Sequence, residues 1–66
     1  MSEDALAEIR GELARILDRL EDLGIAALRD ALERGEQGRP EIERRITRAR
    51  HALERAIGAL GGGAGG

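Results

Sequence analysis

Between Pro40 and Leu60 the apolar residues Ile42, Ile46, Ala49, Leu53, Ile57 and Leu60 recur at steps of four, three, four, four and three. At 100° per residue they fall in a sector about 80° wide, which is one stripe of an α-helix. A helix with one apolar stripe needs cover for it, from its own chain or from another copy. That need limits what the rest of the chain can be.

The preceding residues carry a matching stripe. Ser2 suits an N-cap, with Glu3 and Asp4 in the first turn. Leu6, Ile9, Leu13, Ile16, Leu17, Leu20 and Leu23 then follow a three-four spacing, and Leu28, Ala31 and Leu32 continue it in phase. Gly35 stands where a C′ glycine ends a helix. The pattern predicts a helix over about 3–34, a turn over about 35–39 and a helix over about 40–60, a hairpin domain spanning residues 1–60. Pro40 suits the first position of the second helix, and the glycine-rich run 61–66 reads as a flexible tail. Gly24 leaves two readings open. It either stops the first helix, with Ile25 packing back on Leu20, or lets a partner backbone approach a continuous helix; the unbroken phase favours continuity.

Sixty-six residues bury too little apolar surface to be comfortable alone. Without cysteine, disulfides and thiolate metal sites are excluded, and a single histidine cannot build an imidazole site within one chain. Oligomerisation is the remaining support. Charge agrees with it: residues 1–36 hold ten acids and five arginines, and residues 37–66 three acids and six arginines. The two halves attract each other, within a hairpin or between copies. The expected fold is therefore all-α, a two-helix antiparallel hairpin that dimerises into a four-helix bundle. Leu13, Leu17, Leu20, Leu28, Ile46, Leu53 and Ile57 are the candidate self-association residues.

Little in the chain suggests catalysis. Ser2 and Thr47 are the only hydroxyl side chains outside a phenol, there is no tyrosine, and His51 has no nucleophile or second histidine on its face. Acid pairs such as Glu8 with Glu12 and Asp18 with Asp22 lack the Glu-x-x-His pattern of di-metal bundles. No catalytic, cofactor-binding or metal-ligating residue is assigned, and no cofactor is expected. Arg44, Arg48, His51 and Arg55 form a basic ridge opposite the second stripe, suited to an acidic protein partner. The net charge of −2 and the absence of aromatic rings weigh against nucleic acid. No apolar run is long enough for a membrane span and no signal peptide opens the chain, so a cytoplasmic location is expected. Together these features suggest a small, non-catalytic interaction module that self-associates, or a regulator using the basic ridge to bind an acidic protein partner or nucleic acid.

Glu43, Thr47 and Arg50 also resemble the start of the E-x3-S-x2-R-x3-Q-x3-D motif of the cyclic-di-GMP-responsive anti-sigma factors of actinobacteria. The resemblance implies an antiparallel helical hairpin with the motif along one helix. It covers residues 43–58, where Thr47 replaces serine, Glu54 replaces glutamine and Gly58 replaces aspartate. A carboxylate at Glu54 repels an anionic dinucleotide, and nucleotide binding is not carried over.

Overall fold

The structure, a computed structural model, describes residues 2–61. It contains two α-helices, α1 (Glu3–Glu33) and α2 (Glu41–Leu60), packed against each other as a hairpin. The molecule extends 50 × 20 × 14 Å. Neither described helix is long and apolar enough to cross a membrane.

Ser2 caps α1 with extended backbone, its hydroxyl accepting from the Ala5 N–H at 3.1 Å. The helix then runs through Gly24 without a break. The stop reading fails because Gly24 keeps helical backbone without a left-handed φ; a Cβ built on it would meet Ile46 Cγ2 at an ordinary 3.5 Å. The real stop is Gly35, at φ +74°. Its N–H donates to the Leu32 carbonyl (3.0 Å), and the Glu36 N–H donates to that of Ala31 (2.9 Å), the paired bonds of a Schellman motif. Gly38, at φ +81°, supplies the second left-handed residue of the turn. Pro40 lies one position earlier than expected, as the N-cap, where its carbonyl accepts from the Glu43 and Arg44 N–H groups.

Three contacts fix the antiparallel register. Gly24 meets Ile46, Glu21 pairs with Arg50, and Arg10 reaches the carbonyl of Leu60. Because Arg10 lies beside the last carbonyl of α2, residues 3–9 of α1 project past its end. The expected tail lies outside the described residues except for Gly61, which closes α2 by donating to the Ile57 and Gly58 carbonyls.

The core is thin. Ala31, at 3% exposure, is the one buried apolar side chain among the described residues, with Gly24 buried beside the same seam. The leucines and isoleucines are half-buried or exposed; Leu23 and Ile42 each keep 56% of their surface in water.

Candidate functional site

The residues expected to drive association sit in one place. Leu13, Leu17, Leu20 and Leu28 of α1 and Ile46, Leu53 and Ile57 of α2 are all half-buried along the helix–helix seam. Their stripes face each other within one chain.

To one side of that seam the surface is apolar. Leu20, Leu23, Ile42, Ile46 and Ala49 line a shallow groove with Arg45 at its rim. Toward the turn it continues past Ala26, Ala27 and Pro40 to Asp30 and Arg34. Ile9 and Ile16, both exposed, extend it along α1.

To the other side the seam is polar. Glu43, with 4% exposure, is buried. Arg39 Nη2 and Thr47 Oγ1 both donate to its Oε1, at 3.0 and 2.9 Å. One turn further on, Arg50 Nη2 donates to Glu21 Oε2 across the hairpin at 3.2 Å. Among the described residues, Glu43 Oε2 and Arg50 Nε are buried without a hydrogen-bond partner. The residues carrying the motif resemblance thus have structural tasks here: two tie α2 to itself and the third ties it to α1. By spacing alone, Glu54, one turn along the same helix, is within pairing reach of Arg50. The structure turns Arg50 toward α1 and leaves Glu54 exposed. The burial of Glu43 was equally hidden, since acids in a first turn are explained by the helix dipole.

The basic ridge is exposed on the outer face of α2. Arg44 is occupied, donating to Glu41 Oε2 (3.0 Å) and to the Arg39 carbonyl (2.8 Å). Arg48, His51 and Arg55 make no ion pair or side-chain hydrogen bond among the described residues. The acid pairs Glu8–Glu12 and Asp18–Asp22 are exposed. Among the described residues no group of three or more His, Asp or Glu side chains is placed to hold a metal ion.

No family model matches the chain, and neither does any curated protein or solved structure.

Proposed function

We propose that this chain is a small interaction module that works by self-association, two hairpins stacking into an antiparallel four-helix bundle. The observation that carries the reading is the thin core: one buried apolar side chain among the described residues, beside stripes of half-exposed leucine and isoleucine. Ordering a residue's backbone costs about 1–2 kcal/mol. Apolar burial returns about 25 cal/mol per Å², and a seam between two helices offers little of it. A second hairpin adds the missing area. The role is non-catalytic, in keeping with the use of both hydroxyls: Ser2 caps α1 and Thr47 holds Glu43. Thermal melts followed by circular dichroism over a hundredfold range of concentration (on the order of 1 to 100 μM) test it. The midpoint should rise with concentration; a constant midpoint argues for a self-sufficient monomer.

A second reading is favoured by the ridge. Arg48, His51 and Arg55 stand exposed without ion-pair partners among the described residues, so the module could present a basic face to an acidic protein or, less readily, to nucleic acid. Salt-sensitive retention on an anionic matrix, lost in Arg48→Ala/Arg55→Ala, would support that reading. Retention unchanged by the substitutions would remove it.

A further inference from the structure

We infer that the self-association face is the apolar flank of the hairpin, built from Ile9, Ile16, Leu23 and Ile42, and that its occupant is the same flank of a second copy. The inference rests on the self-association reading and names the surface that performs it. Ile9, Ile16 and Leu23 are seven residues apart, so they line one side of α1 with a drift of about 20° per step. They point 50–90° (roughly) away from the seam direction set by Gly24 and Ala31. All three are exposed, at 44, 46 and 56%. A heptad row of Ile and Leu is the surface that another apolar helix packs into.

Area supports a second copy as the occupant. The chain exposes 5069 Å². Met1 and residues 62–66 account for at most about 620 Å² of that, the area of fully extended chain of their mass. A compact monomer with the mass of the other residues exposes about 3,900 Å². The excess is at least on the order of 550 Å², about two thirds of one partner's share of a standard interface, about 800 Å². Charge agrees: Glu3–Glu33 holds nine acids and four arginines, and Glu41–Leu60 three acids and five arginines. A copy that lays its α2 over this α1 is attracted to it. The rival face is the exposed pair Ile25 and Leu32, on the far side of α1. That pair is shorter, and the same side of the seam carries the Glu21–Arg50 ion pair.

The test is sedimentation equilibrium of Ile16→Asp and Leu23→Asp beside Ile25→Asp and Leu32→Asp, with helicity recorded for each. A two-fold interface contains every substitution twice, so Ile16→Asp and Leu23→Asp should each weaken the dimer about a hundredfold or more. Ile25→Asp and Leu32→Asp should leave it within about threefold. Should a variant unfold, solvent paramagnetic relaxation of the wild-type methyl groups answers the same question. Protected Ile9, Ile16, Leu23 and Ile42 with accessible Ile25 and Leu32 is the expected result. A dimer with the reverse pattern overturns the flank assignment alone, whereas a wild-type monomer overturns the self-association reading and the flank with it.

Discussion

Glu43 is the residue least suited to its place. Its carboxylate is buried, one oxygen has two donors and the other has none, and one of the donors is Arg39, whose side chain is largely in water. An exposed arginine offsets little of the cost of taking a charge out of water. Glu43→Leu should therefore raise stability by about 1 kcal/mol in a denaturant melt; a loss would mean that the carboxylate has a stronger partner than Thr47 and Arg39. Gly24→Ala should also stabilise, by about 0.5–1 kcal/mol, because alanine favours the helix and its Cβ meets Ile46 at an ordinary 3.5 Å. A lower midpoint would show that the helices pack closer than this. The two residues mark the reach and the limit of sequence reading. Gly24 lies in phase with the leucines and marks the seam from spacing alone, whereas an acid in a first turn reads as a dipole partner whether it is buried or wet.

Each helix is legible in the chain because its stripe, its cap and its stop agree: Ser2 and the Gly35 motif bracket α1, and the Ile42–Leu60 spacing defines α2. The contacts between helices are less legible, because they depend on register and on which side of a stripe faces inward. Arg10 shows why. It lies fifty residues from Leu60, yet its guanidinium donates to that carbonyl at 3.2 Å, at the end of a helix with no basic residue in its own last turn. Arginine near a helix C-terminus complements the dipole and an open carbonyl. Arg10→Ala should cost about 0.5–1.5 kcal/mol and speed hydrogen exchange in the last turn of α2. Unchanged exchange there would reduce the contact to a surface one.

For the whole molecule, the pairing of two apolar stripes is readable from their spacing, but which edge of the seam is apolar and which is polar is not. Both stripes are wide enough to face each other and still have edges, and only the packed hairpin separates an apolar flank from the Glu21–Arg50 side. Leu53→Glu would place a charge in the seam itself and should abolish helicity and assembly together. A folded, assembled variant would show that Leu53 is outside the structural centre. The most direct measurement is sedimentation equilibrium of the intact chain at micromolar concentration. The proposed bundle requires a mass near twice 7.1 kDa, falling toward one chain on dilution as helicity falls with it. A stable, fully helical species of 7.1 kDa at every concentration would contradict it.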